Sequence, residues 1–339
     1  MKRRTTLAAA AAVATGFAAL PRTAAAADIT LTYAFFAPAK TFPGVQMNHW
    51  AEQLAKRTNG KVAVKTFPGG TLLSAKEMYD GVTKGVADIG LGSPSYDPGR
   101  FPLTSGVALP VGFTNAVQAS RTLWALTKEF KPKEYAGFKV IAMFTGEPGY
   151  IQTKTPVRSL ADLEGMKLRA AGSGVPVLKA LGAAPIGMAM PEVPQAVTTG
   201  VIAGTMTSRD VLQDFKLAEM LKYVTDYPTV VVTFAAVMDQ KKFDQLPPDV
   251  KKVIDELADE MPAWTGTYHD RENIASAMAW AQKEHKLQLV ELAPGEKPRW
   301  DARLKPMEDE WVKEMAAKGL PAAAYLKRLH ELRDQFAKS

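Results

Sequence analysis

The sequence predicts an α/β fold arranged as two lobes, and three observations point there. Short β-rich runs alternate with helix-patterned stretches, the rhythm of a largely parallel sheet covered by helices. No repeat, low-complexity tract or long linker divides the chain. Residues 249–285 carry a helical pattern much longer than its neighbours. A chain that crosses between two lobes more than once fits these features better than two separate beads.

The first segment reads as a leader. Lys2, Arg3 and Arg4 precede an Ala-rich apolar run at 7–20, and small residues fill 23–27. A basic start, an apolar middle and an A-x-A-like end make a signal peptide spanning 1–27. A buried N-terminal helix would give those three cations no packing role. Arg3-Arg4 with Leu7 behind it is a weak twin-arginine pattern, so both that route and Sec stay open. No Cys follows to carry a lipid, and the run is too short and Ala-rich for a lasting membrane span. The formal charge of +7 includes four leader cations and no leader acid, so the remaining chain carries +3. No basic run with interleaved aromatics marks a nucleic-acid partner. The absence of Cys excludes thiolate metal sites, Cys nucleophiles and disulfides. An exported chain of this kind relies on its hydrophobic cores, and the 312 residues after the leader can build one or two.

Residues 29–35 are β-rich, and 43–57 read as a helix stopped by Asn59-Gly60. Val62, Val64 and Phe67 make 61–67 a strand ending in the Pro68-Gly69-Gly70 turn. Ser74 and Glu77 read as a capping box opening a helix to about residue 84. A short buried strand at 86–92, a helix at 115–129 and a strand at 138–144 follow. Further strands are expected at 167–170 and 229–238, with helices near 175–181, 192–199 and 215–221. Pro262 lies inside the long pattern and predicts a kink or break there. After 287–292 come two more helices, one carrying Trp300, Met307 and Trp311, the other at 322–336.

Catalytic patterns are absent: there is no G-x-S-x-G elbow, H-E-x-x-H pair or P-loop. His49, His269, His285 and His330 are scattered and read as helix-surface residues. Acidic pairs such as Asp259-Glu260 and Asp309-Glu310 fall on solvated helical faces. Pro68-Gly69-Gly70 lacks the Lys and the glycine spacing of a phosphate loop and reads as a turn.

Phe67-Pro68-Gly69-Gly70-Thr71-Leu72-Leu73-Ser74-Ala75-Lys76-Glu77-Met78, followed by Gly85-Val86-Ala87-Asp88-Ile89-Gly90, resembles the periplasmic substrate-binding subunits of TRAP transporters, the DctP-like family. The likeness continues through Ser159-Leu160-Ala161-Asp162-Leu163-Glu164-Gly165-Met166-Lys167-Leu168-Arg169 and Leu181-Gly182-Ala183-Ala184-Pro185. Its clear run ends at Leu246-Pro247-Pro248-Asp249-Val250-Lys251-Lys252-Val253. The resemblance implies an α/β, two-lobed periplasmic binding protein (type II-like) with crossing hinge strands and a long helix spanning both lobes. On this reading 28–146 with about 235–262 form lobe 1, and 147–234 with about 263–339 form lobe 2. It also implies hinge closure on a small organic acid and delivery to small and large TRAP membrane subunits, in the periplasm and without catalysis.

In that family an Arg in a G-x-K-x-R strand pairs with the solute's carboxylate, and Arg169 occupies that position. A guanidinium offers two parallel donors to a carboxylate and stays charged when buried. The chain departs from the sialic-acid-binding branch elsewhere. Gly149, beside Tyr150, replaces a second Arg; Thr207 replaces an Asn, with Arg209 close behind; Phe36 and Met190 fall at a polar and an aromatic contact. Ser93 and Tyr96 follow the 86–92 strand, and Phe234 lies in the returning one. Each of these residues has core packing as its ordinary alternative. Together Phe36, Tyr96, Tyr150, Met190 and Phe234 would make a mostly apolar pocket, unsuited to a polyhydroxylated sugar acid. The expected solute is an apolar or aromatic monocarboxylate, 2-hydroxy and 2-oxo acids included, while Arg209 leaves room for a dicarboxylate. No cofactor is expected, and no cluster of oxygen ligands suggests a metal. The rival readings are a binding subunit of an ABC or tripartite tricarboxylate system, and an α/β enzyme.

Overall fold

The β-branched and aromatic runs of the sequence make eleven strands among residues 27–338, which a computed structural model describes. The predicted leader lies outside those residues apart from Ala27. In chain order the strands are β1 (Ile29–Phe35), β2 (Val62–Phe67), β3 (Ile89–Gly92), β4 (Phe138–Thr145), β5 (Tyr150–Thr153), β6 (Lys167–Ala170), β7 (Ala184–Gly187), β8 (Gly204–Thr207), β9 (Tyr223–Thr225), β10 (Thr233–Asp239) and β11 (Gln288–Val290).

They form two sheets, β2-β1-β3-β10-β4 and β11-β9-β5-β8-β6-β7. Each is largely parallel, as expected, with a single strand reversed. β10 runs antiparallel to β3 and β4, and β5 antiparallel to β8 and β9. The reason is topological: the chain leaves the first sheet on β4 and enters the second on β5, then returns on β10. A strand arriving from the other lobe enters at the crossing end and so runs against its neighbours. The alternation of β10 then serves both faces of its sheet, with Ala236 and Met238 in one core and Ala235 and Val237 in the other. Large side chains anchor these cores. Trp50 is fully buried edge-on to Tyr33, with 5.6 Å between ring centroids; each such burial contributes about 1.5–3 kcal/mol.

The long helical pattern also bridges the lobes. Its first part, Pro248–Tyr268, packs on β4 and on the helices Phe42–Arg57 and Ala116–Phe130 of the first lobe. Its last part, Ile274–His285, packs on the short helix Val211–Asp214 of the second. The helix runs through Pro262 without a break, which corrects that half of the kink-or-break expectation, and a π-helical turn follows at His269–Asn273. That turn lies where the helix passes between lobes. Just before it, a β-carbon on Gly266 would come within 2.6 Å of the Val117 Cα, so glycine permits the helices to meet there.

Three further expectations are corrected. The helix after Ser74 begins at Met78, and the Ser74 hydroxyl bonds the Glu77 carboxylate, not a backbone amide; a capping box is formed at Ser159 and Asp162 instead. The 215–221 helix is split into Val211–Asp214 and a single 3₁₀ turn at Leu217–Glu219. The segment 263–339 does not stay with lobe 2. Trp300 and Leu304 enter the second lobe's core, but Trp311, Met315, Tyr325 and Leu329 bury against Leu123 and Leu126 in the first. The last two helices, Met307–Ala317 and Ala322–Phe336, therefore return to lobe 1, carried by that apolar stripe.

Candidate functional site

The two lobes face each other across a cavity lined from both sides. The first lobe contributes Phe36 at the end of β1, Thr41, Phe42 and Pro43 at the start of the next helix, Tyr96 after β3, and Phe234 on β10. The second contributes Arg169 on β6, Met190, Thr207 at the end of β8, and Ser208, Asp210 and Val211 beyond it. The aromatic rings pack edge to face: Phe36 with Tyr96 at 5.4 Å and Phe42 with Phe234 at 5.4 Å between centroids. The cleft here is half open, with a free volume of about 40 Å³, room for a few waters, so an organic acid enters with the lobes farther apart.

Arg169 is the cation of this cavity. On β6 its neighbour Leu168 turns into the second lobe's core while Arg169 faces the opposite side, the alternation a strand imposes. It is 1 % exposed, and burial lowers its pKa, since desolvation disfavours the charged form. Nε and Nη2 donate to the Met188 carbonyl at 3.0 and 2.9 Å. The Tyr96 hydroxyl stands beside the guanidinium and accepts from the Met190 amide at 3.2 Å. The bonds to Met188 account for two of its five N–H donors. No ion pair among the described residues includes Arg169. The residue is thus oriented by neutral groups and left without a direct ion-pair partner, the Glu192 carboxylate acting on it only from farther off.

Of the residues singled out from sequence, Phe36, Tyr96, Arg169, Met190, Thr207 and Phe234 come together here. Ser93, Tyr150 and Arg209 do not line the cavity. Ser93 is buried and donates to the Thr233 carbonyl at 2.8 Å, tying β3 to β10. Arg209 is held bidentate by Glu147, at 2.9 and 2.7 Å, with its guanidinium 4.2 Å from the Tyr150 ring centroid. It is already neutralised, which removes the basis for a second carboxylate contact. Sequence reasoning missed Thr41, Phe42, Pro43, Ser208, Asp210 and Val211. The Phe42-Pro43 pair at a helix start was the one available signal, since Pro favours the first turn and places its neighbour at the lip.

Behind the cavity lies a buried polar junction. The Ser208 hydroxyl bonds Asp210, Asn273 reaches Asp214 at 3.4 Å, and His269 Nδ1 lies 3.0 Å from the Asn273 amide oxygen. Burial pushes the Asp210 carboxyl well up and that of Asp214 to about 6. His269 is fully buried with its ring 3.9 Å from that of Phe42, and burial lowers it to about 3. The helix-surface expectation for His269 is therefore wrong. Asp270 accepts from the Ala116 and Val117 amides, both at 3.0 Å, and so caps the first lobe's helix from the π turn.

Two sheet-based lobes joined by crossing strands, with a cation and an aromatic wall between them, define a solute-binding protein. The chain belongs to the bacterial extracellular solute-binding protein family 7, the DctP family of TRAP solute-binding proteins, whose model matches residues 33–315. It is similar to a TRAP periplasmic solute-binding protein of Desulfovibrio salexigens, solved as an open complex. The two are 43 % identical with a TM-score of 0.81, over 91 % of this chain and 97 % of that one. A TRAP solute-binding protein of Rhodoferax ferrireducens in complex with benzoate gives a TM-score of 0.86 at 26 % identity, over 91 % and 98 %. Among curated relatives, the 2,3-diketo-L-gulonate-binding periplasmic protein of Escherichia coli is 28 % identical over 61 % of this chain and 65 % of that protein. No helix among the described residues is long and apolar enough to cross a membrane.

Proposed function

We propose that this protein captures a small monocarboxylate with an apolar or aromatic body outside the cytoplasm and delivers it, unaltered, to the small and large membrane subunits of a TRAP transporter. Residues 1–27 act as the cleaved leader that sends it to the periplasm. The observation that carries this reading is Arg169: a fully buried guanidinium with no ion-pair partner, facing aromatic rings between two lobes. A buried unpaired cation is costly, and a solute carboxylate relieves that cost with two parallel bonds. Phe36, Tyr96, Phe42 and Phe234 supply apolar walls for the solute's body, while polar anchors for a string of sugar hydroxyls are few. The benzoate complex of the Rhodoferax relative supports an aromatic solute; the Escherichia coli relative, with its oxidised sugar acid, marks the competing class.

The test is a thermal-shift screen of the protein against benzoate, hydroxybenzoates, mandelate, 2-oxo acids, C4-dicarboxylates and sugar acids. A stabilising hit among the apolar or aromatic monocarboxylates is expected. A preference for a sugar acid or a neutral sugar would overturn the solute class, and turnover of a bound acid would overturn the assignment as a binding protein.

A further inference from the structure

We propose that Gly172 is a positioning residue that sets how closely the two lobes approach, and that its missing side chain is what allows the Tyr96 hydroxyl to reach the Met190 amide beside Arg169. The inference rests on the reading that a solute is held between the lobes. Gly172 opens the turn after β6, three residues beyond Arg169, in the second lobe. Against it lies the Pro94–Tyr96 turn of the first lobe. A β-carbon on Gly172 would stand 2.7 Å from the Ser95 carbonyl oxygen and 2.9 Å from the Pro98 Cγ. The nearer of these is backbone, which no rotamer change can move. Gly172 lies outside the left-handed region, so its own conformation does not require glycine. The only thing that excludes a side chain is the opposite lobe.

The consequence follows from where the two turns sit. Ser95 immediately precedes Tyr96, whose hydroxyl accepts from the Met190 amide across the cleft, beside Arg169. Holding Gly172 away from Ser95 moves Tyr96 away from the Met190 amide by a similar amount, and a hydrogen bond does not survive a shift of an ångström. A methyl group at 172 thus keeps the lobes ajar without touching the solute. In the ligand-free open state the same methyl has no opposing lobe to meet, so folding stability is unaffected.

The chain contains no Cys, so Lys65→Cys and Lys179→Cys, one exposed site on each lobe, give a clean spin-label pair for inter-lobe distances. The variants are Gly172→Ala and, as a control, Gly174→Ala. The control's β-carbon meets Met206 Cε at 2.9 Å and Ala170 Cβ at 3.1 Å, both within the second lobe. Benzoate is the probe. The expected result is that benzoate shortens the inter-lobe distance in the parent and in Gly174→Ala but not in Gly172→Ala. The Gly172→Ala dissociation constant should rise about tenfold or more, as a loss of the competent state requires, at unchanged ligand-free melting temperature. Equal closure and affinity in Gly172→Ala would overturn the proposal. So would a ligand-free melting loss that accounts for the weaker binding, since that is a plain folding role. Should the parent ignore benzoate, the aromatic reading fails separately. The short-distance fraction of the ligand-free protein then decides: its persistence in Gly172→Ala refutes the lobe stop, and its loss supports it.

Discussion

Replacing Arg169 tests the proposed anchor quantitatively. Its Nε and one Nη2 proton are committed to the Met188 carbonyl, which leaves three donors, enough for the two parallel bonds of a carboxylate. Charged hydrogen bonds of this kind are worth about 1.5–3 kcal/mol each, and truncating one partner of a buried charged pair costs about 2–5 kcal/mol. Arg169→Ala should therefore lose about 3–5 kcal/mol of solute binding, or about 150- to 5,000-fold in Kd. Arg169→Lys keeps the charge but not the planar fork and should fall between, weaker than the parent by about tenfold or more. Because the pair is desolvated, the loss should depend little on salt. Titration calorimetry with the best acid from the screen measures both variants, and ligand-free melting shows that they fold. An Arg169→Ala protein binding within threefold of the parent would refute the anchor, and full affinity in Arg169→Lys would refute the bidentate geometry.

Tyr96→Phe keeps the ring against Phe36 and removes one hydroxyl; solute binding should weaken by about 1–2 kcal/mol with ligand-free melting unchanged, as calorimetry and melting together will show. Arg209→Ala leaves the Glu147 carboxylate buried and unpaired, so denaturant unfolding should show a loss of about 3–5 kcal/mol while solute affinity stays within about threefold; a collapse of affinity at intact stability would place Arg209 in the site after all. His269 has its folded pKa lowered to about 3 from 6.5, so its contribution is complete above pH 6.5 and is lost as pH falls through that window. Between pH 8 and 5 the loss from this residue amounts to about 2 kcal/mol. Asp214, raised to about 6 from 3.8, acts oppositely over much of the same range. The difference between parent and His269→Gln unfolding curves isolates the histidine: the variant should be less acid-sensitive, and identical pH profiles would contradict the buried neutral imidazole.

The fold class and Arg169's place in the cleft were legible, the first in the alternation of β-rich and helical runs, the second through the G-x-K-x-R likeness it completes. Arg169 stands next to Leu168 on a short strand whose alternation separates core from cleft, and Phe36, Tyr96 and Phe234 each end or follow a β-rich run. What stayed hidden depends on partners distant in sequence. Arg209 looked like a spare cation because Glu147, 62 residues earlier, gives no local sign that it will close over it. His269 looked exposed because a regular helix was assumed, and the π turn occurs only where the helix leaves one lobe for the other. Trp311, Met315 and Tyr325 announce an apolar stripe but not which lobe receives it. Pro262 was over-read, since a proline inside a helix removes one hydrogen bond without obliging a break when the surrounding packing holds.

The lobes keep separate cores, and what joins them is mostly polar: Glu147 with Arg209 at the first crossing, and His269, Asp270 and Asn273 on the helix. Directional hydrogen bonds fix the relative register of the crossings without cementing the lobes through apolar area, which would make one state overwhelmingly stable. A two-state equilibrium held this way needs about 5.5 kcal/mol of differential binding to pass from 1:99 to 99:1. The Arg169–carboxylate pair offers about 3–5 kcal/mol, and burial of an apolar body against Phe36 and Phe234 supplies the remainder at about 25 cal/mol per Å². Neither part reaches the threshold alone. A carboxylate without an apolar body, or an aromatic without a carboxylate, should bind to one lobe and leave the cleft open, so selection is exercised at closure and not at first contact.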